Sequence, residues 1–189
     1  MQVEPTVVPG VSLIRPTRHR DARGWFLESW NRRAFAAAGI AADFVQDNLA
    51  GSAAVGTVRG LHYQIAPHAQ GKLVRAAKGA IFDVAVDIRR GSPSFGRHVA
   101  VTLTAESGEQ LWVPAGFAHG YCTLTPDCEV AYRVTDYYAP ECERGLRWSD
   151  PALGIAWPAA PGRAVVNPRD ETWPLLAELA DLFAYGDTP

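Results

Sequence analysis

From Val7 to Thr135 the chain is a series of short apolar runs, each soon closed by glycine, proline or an acidic turn, and this punctuation limits the fold more than any other feature. Strands need only roughly 4–8 residues, whereas a packed helix needs a longer uninterrupted period of 3.6. The runs are Val7-Val8, Val11–Ile14, Trp25–Trp30, Phe44–Asn48, Gly56–Gln64, Leu73–Ala77, Ala80–Ile88, His98–Leu103, Gln110–Val113, Ala118–Thr125 and Glu129–Thr135. Asp21-Ala22-Arg23-Gly24 and Arg90-Gly91-Ser92-Pro93 read as turns. In Ala80–Ile88, Asp83, Ala85 and Asp87 alternate with Phe82, Val84, Val86 and Ile88, which predicts a strand with one buried face. Two stretches suit helices. Asn31 can cap Arg32–Ala38, which Gly39 ends, and a second helix is predicted to begin at Pro174, with Leu175, Leu176, Leu179, Leu182 and Phe183 on a face that covers the sheet. With 17 glycines and 14 prolines in the whole chain and only two stretches suited to helices, the chain is expected to be all-β, a sandwich or barrel whose natural form is the jelly roll, with short flanking helices.

The 189 residues suit one domain, 1–189, with a substantial core; no repeat or low-complexity linker divides it, and Ala159–Gly162 reads as a loop. A formal net charge of -2 provides no basic field for nucleic acid or anionic lipid, so any anion must be held by local arginines. No run approaches the ~20 apolar residues of a membrane span. Met1–Leu13 has no basic leader and is broken by Pro5, Pro9 and Gly10, unlike a signal peptide. Cys122, Cys128 and Cys142 lack CxxC spacing, which fits a reducing cytoplasm.

Chemistry concentrates first in Gly56–Gln64. Arg59 and His62 are three apart, and in a regular strand they would point to opposite faces. Gly60 between them can supply a bulge that re-aims one of them, which would make the segment a site built on a strand. A surface arginine beside a hydrogen-bonded core histidine accounts equally well for this stretch alone.

Gly108 to His119 resembles the second sequence motif of the cupin superfamily, G-x5-P-x-G-x2-H, and Gly56 to His62 resembles the start of the first. The second histidine position of that first motif is Gln64, its carboxylate is not recognisable, and Lys72 supplies an ammonium that would repel a cation. The pocket is therefore read as metal-free; ligation by His62, His119 and an unplaced carboxylate is the alternative.

Set beside Lys72, these motifs resemble the dTDP-4-dehydrorhamnose 3,5-epimerase family over roughly residues 5 to 176. The matching segments are Asp21–Gly24 with Phe26 and Glu28, Phe44–Asn48, Arg59–Gln64, Lys72–Val74, Asp83–Arg89, Pro114–Gly120 and Trp148–Pro151. The resemblance implies epimerisation at C3 and C5 of dTDP-4-keto-6-deoxy-D-glucose through an enolate, without a cofactor. By it, His62 is the base with Asp170 its partner, Lys72 holds the C4 oxyanion, and Tyr132 is the acid on the opposite face. Arg23, Arg59 and Arg169 would bind the pyrophosphate; Glu28, Gln46 and Asn48 supply polar contacts; His119 and Glu143 line the site; Tyr138 stacks on thymine. Family members are homodimers in which amino-terminal strands join the partner's sheet, so Arg23, Phe26 and Glu28 would serve the neighbouring site.

Residue by residue, Asp170 could instead pair with Arg169 on the surface, and Tyr132, Tyr137 and Tyr138 could simply pack a sheet. The chain also departs from the family pattern. The segment that usually reads Ser-x-Lys-Asp is Asn167-Pro168-Arg169-Asp170, and Arg133 stands where lysine is common. Inversion at only C3 or only C5 is therefore the close alternative. A non-catalytic sugar-nucleotide binding module and a metal-dependent cupin oxygenase are the more distant ones.

Overall fold

A computed structural model of the chain describes residues 1–160, 162–180 and 182–186. In chain order the strands are β1 (Gln2–Pro5), β2 (Ser12–Arg15), β3 (Arg18–Asp21), β4 (Gly24–Leu27), β5 (Gln46–Ser52), β6 (Thr57–Gln64), β7 (Lys72–Lys78), β8 (Ala80–Asp87), β9 (Arg89–Arg90), β10 (His98–Thr104), β11 (Gln110–Val113), β12 (Phe117–Thr123), β13 (Cys128–Val134), β14 (Glu143–Gly145), β15 (Val165–Val166) and β16 (Phe183–Ala184). Helix α1 spans Arg32–Ala37 and α2 spans Pro168–Thr172. One sheet has the order β1-β2-β11-β7-β13-β5, the facing sheet β10-β8-β12-β6-β14 with β15 beside β6, and β3 and β4 form a separate hairpin. This is a jelly roll of the cupin type, as the strand punctuation implied.

The main core lies between the sheets. Val74, Ala76, Leu111, Val113 and Val130 from the first meet Ile81, Ala85, Val99, Leu103, Phe117 and Tyr121 from the second. The outer face of the second sheet is covered too, with Leu61, Val84, Val86 and Ile88 packing under Leu146, Leu153, Leu176, Leu179 and Phe183. The expected half-buried strand is consequently buried on both faces, and Asp83 and Asp87 are fully enclosed. Each is satisfied in part by a specific partner, Asp83 by His119 at 2.9 Å and Asp87 by Arg89, Ser92 and Ser94.

Several local expectations hold. The Asn31 side chain accepts from the Arg33 and Ala34 amides and caps α1, and Gly39 follows with φ 89°. Others need correction. Val7-Val8 is a bend, and the strand expected over Trp25–Trp30 ends at Leu27. The helix predicted from Pro174 does not form. Its backbone has better partners elsewhere: the Pro174 carbonyl accepts from the Arg147 amide, the Leu176 amide donates to Asp150, and Glu178 caps the Leu175 amide. A short 3-10 turn, Leu176–Glu178, and the strand β16 result, and the leucines still cover the sheet. Pro161 of the expected loop and Asp181 of the expected helix lie outside the described residues.

The bulge proposed at Gly60 is present. Arg59 stands opposite Tyr121 and His62 opposite His119, so Gly60 and Leu61 together face the single residue Gly120. The extra residue changes the parity of β6, and Arg59 and His62 come to line one cavity. No side chain fits there: Gly60 has φ 129°, and a Cβ would lie 2.5 Å from the Gly120 Cα.

Candidate active site

A cavity of about 530 Å³ opens between the sheets, and both walls contribute chemistry. From the second sheet come His62 and Arg59 on β6 and His119 and Tyr121 on β12; from the first come Lys72 on β7 and Tyr132 on β13. Asp170 is brought in by α2, whose start is set by the Asn167 side chain accepting from the Arg169 amide and by Pro168 at the first turn.

His62 Nε2 lies 2.6 Å from Asp170 Oδ1, although the two are 108 positions apart. The carboxylate is only 5% exposed; it also accepts the Gly60 amide at 3.2 Å and the Trp173 indole N–H at 3.1 Å. Burial alone would raise its pKa, but the hydrogen bond and charge of His62, the Gly60 amide and the indole together hold it below the ordinary carboxylate range. An ionised Asp170 keeps the proton of neutral His62 on Nε2 and leaves Nδ1 to accept one. Surface pairing of Asp170 with Arg169 is excluded by this burial.

Lys72 is buried and donates to the His62 carbonyl at 3.1 Å. Burial lowers its pKa to about 8, against the opposing pull of Glu143 and Asp83. Tyr132, on β13 beside β7, faces the same space from the wall opposite His62, its pKa raised chiefly by burial, with Arg59 acting the other way.

The floor holds a second His–Asp pair, His119 Nε2 to Asp83 Oδ1 at 2.9 Å. Beside it, Asp83 Oδ2 and the Tyr121 hydroxyl are buried without a hydrogen-bond partner among the described residues. Orphaned polar atoms of this kind cost about 1–3 kcal/mol each. At the rim, Glu143 pairs with Arg169 at 2.7 Å and accepts the Tyr138 hydroxyl at 2.9 Å. Gln46, Asn48 and Tyr138 line an adjoining pocket that shares Tyr132. Gln46 donates to Asn48 at 2.8 Å, in keeping with the single face expected for them.

The donor set does not suit a divalent ion. Among the described residues no three His, Cys, Asp or Glu side chains converge as ligands, the Lys72 ammonium in the same cavity would repel a cation, and the Gln64 side chain is taken up by backbone groups.

Of the residues singled out by sequence, Arg59, His62, Lys72, His119, Tyr132, Glu143, Arg169 and Asp170 meet in the cavity. Arg23, Phe26 and Glu28 do not. They sit on or just after the β3–β4 hairpin, where the Arg23 side chain is 91% exposed and pairs with Asp21, and Phe26 is 69% exposed. Sequence reasoning missed Asp83, Tyr121 and Trp173. Tyr121 was legible, two residues beyond His119 on one strand face. Trp173 was not: its place depends on Gly145, where a Cβ would lie 2.3 Å from the indole.

The model of the dTDP-4-dehydrorhamnose 3,5-epimerase family matches residues 5–178. The dTDP-4-dehydrorhamnose 3,5-epimerase of Sinorhizobium fredii is 49% identical over 189 residues, covering 98% of this chain and 94% of its own. The dTDP-6-deoxy-D-glucose-3,5-epimerase of Legionella pneumophila, solved with dTDP-4-keto-L-rhamnose, is 41% identical with a TM-score of 0.92, covering 97% of this chain and 98% of its own. ChmJ, a 3'-monoepimerase of Streptomyces bikiniensis, was solved with dTDP as a double variant, one histidine changed to asparagine and one tyrosine to phenylalanine. It is 34% identical with a TM-score of 0.88, over 96% of this chain and 92% of its own. With sequence and fold both matched over nearly its whole length, this protein belongs to the dTDP-4-dehydrorhamnose 3,5-epimerase family.

Proposed function

We propose that the chain inverts C3 and C5 of dTDP-4-keto-6-deoxy-D-glucose, giving dTDP-4-keto-L-rhamnose. The observation that carries this reading is the pairing of a His62–Asp170 dyad on one wall with Tyr132 on the other, with Lys72 buried between them. A proton next to a ketone becomes removable when the enolate oxygen is stabilised. His62 takes the proton, Asp170 stabilises the imidazolium, and the Lys72 ammonium faces the C4 oxygen. Tyr132 returns a proton from the opposite side, which is what inversion requires. The histidine and tyrosine exchanged in ChmJ are separated along their chain as His62 and Tyr132 are, which supports the pairing.

Arg59 and Arg169 would hold the diphosphate, with Glu143 releasing Arg169 as the nucleotide enters. Gln46, Asn48 and Tyr138 would form the base pocket, and His119 with Glu143 would line the sugar site. Single inversion is the second reading, because a 3'-monoepimerase shares this fold; the higher identity to the double epimerase of S. fredii favours two. Incubation with the 4-keto sugar in heavy water is expected to place deuterium at both C3 and C5, read by NMR. Label confined to one carbon would replace the leading reading with the single one.

A homodimer completes the site. The β3–β4 hairpin, which belongs to neither large sheet, is the amino-terminal part we assign to the contact with a second copy, where it would deliver Arg23, Phe26 and Glu28. Its Trp25 and Phe26, 55% and 69% exposed, supply apolar surface for that contact. Light scattering is expected to give twice the 20.5 kDa chain mass, and a monomeric mass at assay concentration would remove this assembly. The three free, buried cysteines suit a reducing cytoplasm, and no helix among the described residues is long and apolar enough to cross a membrane.

A further inference from the structure

Gln64 occupies the position of a metal-ligating histidine in the cupin motif, and the reaction proposed above gives it no role. It is 3% exposed at the end of β6 and fully engaged. Its Nε2 donates to the carbonyls of His68 at 2.6 Å and Tyr137 at 3.1 Å, and its Oε1 accepts the Ala139 amide at 2.9 Å. Two carbonyls and one N–H around the same amide leave a single orientation for it. The residue between the two pinned backbone groups is Tyr138.

We infer that Gln64 is the positioning residue for nucleotide-base recognition, clamping the backbone on both sides of Tyr138 so that its ring stands at the base pocket. Tyr138 has no strand or helix of its own to hold it, and its side chain is half exposed. Its placement comes from the Gln64 clamp, from Gln46 accepting the Tyr138 amide at 3.0 Å, and from Glu143 accepting its hydroxyl. Gln64 and Glu143 are register partners across β6 and β14, so one rung of the sheet controls both the loop and the hydroxyl. Gln64 lies two residues beyond His62 on β6, so the strand that carries the base also holds the loop of the base-binding aromatic. A ring held in place before binding loses less entropy when the nucleotide stacks on it.

The inference rests on the reading of Tyr138 as the base-stacking residue, and a double-mutant cycle separates the two. Gln64→Glu keeps an acceptor for the Ala139 amide but sets a carboxylate against two carbonyl oxygens. Calorimetric affinity for dTDP is expected to fall about tenfold, within what lost hydrogen bonds of this kind supply. The loss should fall on KM rather than on kcat. In the Tyr138→Ala background the same change should cost less than about twofold. Undiminished affinity in Gln64→Glu, or an equal loss with Tyr138 already removed, overturns the inference while leaving the stacking reading intact. Unchanged affinity in Tyr138→Ala alone removes the stacking reading and the inference with it. Gln64→Met, similar in length and uncharged, repeats the cycle if the glutamate variant does not fold, with near-ultraviolet circular dichroism reporting the folded state.

Discussion

His62→Asn is expected to lower turnover by a factor of about 10²–10⁴, the range that a positioned general base contributes. Asparagine can still donate to Asp170, so the variant does not leave a buried carboxylate stranded, and the cavity wall keeps its shape. It has no nitrogen able to accept a proton at neutral pH. The nucleotide is assigned to Arg59, Arg169 and the pocket of Gln46, Asn48 and Tyr138, so dTDP affinity should change by less than about threefold; that bound is within the uncertainty of one weak contact. The measurement is turnover together with deuterium uptake from heavy water. An asparagine variant that still exchanged the C3 and C5 hydrogens at the wild-type rate would assign the base elsewhere, with the His119–Asp83 pair next in line.

Lys72→Met should separate stability from activity. The substitution removes the one cation among the residues lining the inner cavity from the first sheet, and losing such oxyanion stabilisation typically costs about 10²–10³ in kcat. Stability should move the other way. Lys72 has a folded pKa of about 8 against an ordinary value of 10.5. Below about pH 8 the folded protein carries a buried ammonium that burial penalises; between about 8 and 10.5 the unfolded chain binds more protons than the folded one, so wild-type stability from this group rises with pH. Methionine removes the penalty. The variant should therefore be the more stable of the two at pH 7, with the difference closing as pH rises through that window. The same deprotonation should give wild-type kcat/KM a falling limb above about pH 8. Denaturation midpoints at several pH values, run beside the pH–rate profile, test both, and a methionine variant less stable than wild type at pH 7 would remove the buried-charge argument.

Most of the strand pattern and the two cupin-like motifs were legible because their causes are local. Glycine and proline close a run wherever they stand, and Asn31 caps α1 through amides only two and three residues away. The roles of His62 and Lys72, and both the choice and the roles of Tyr132 and Asp170, rest on resemblance, since nothing local brings a histidine and an aspartate 108 positions apart together. The carboxyl-terminal apolar face was read correctly as a cover and wrongly as a helix. The leucine spacing suits a helix, but Arg147, Asp150 and Glu178 claim the backbone groups that a helix would have paired internally.

The sequence by itself determined that this is an all-β chain and pointed to a glycine-permitted bulge between Arg59 and His62, because strand punctuation and glycine permissiveness are properties of neighbouring residues. Only the tertiary structure decided what each side chain there faces. The two-against-one pairing at Gly60 turns Arg59 and His62 to one side, the packing of a second layer encloses Asp83, and Gly145 admits Trp173 against Asp170. Each of these depends on atoms supplied by a distant segment of the chain. Side-chain direction in a strand has a period of two, so one extra residue, placed by a partner strand, was enough to decide which residues share the cavity.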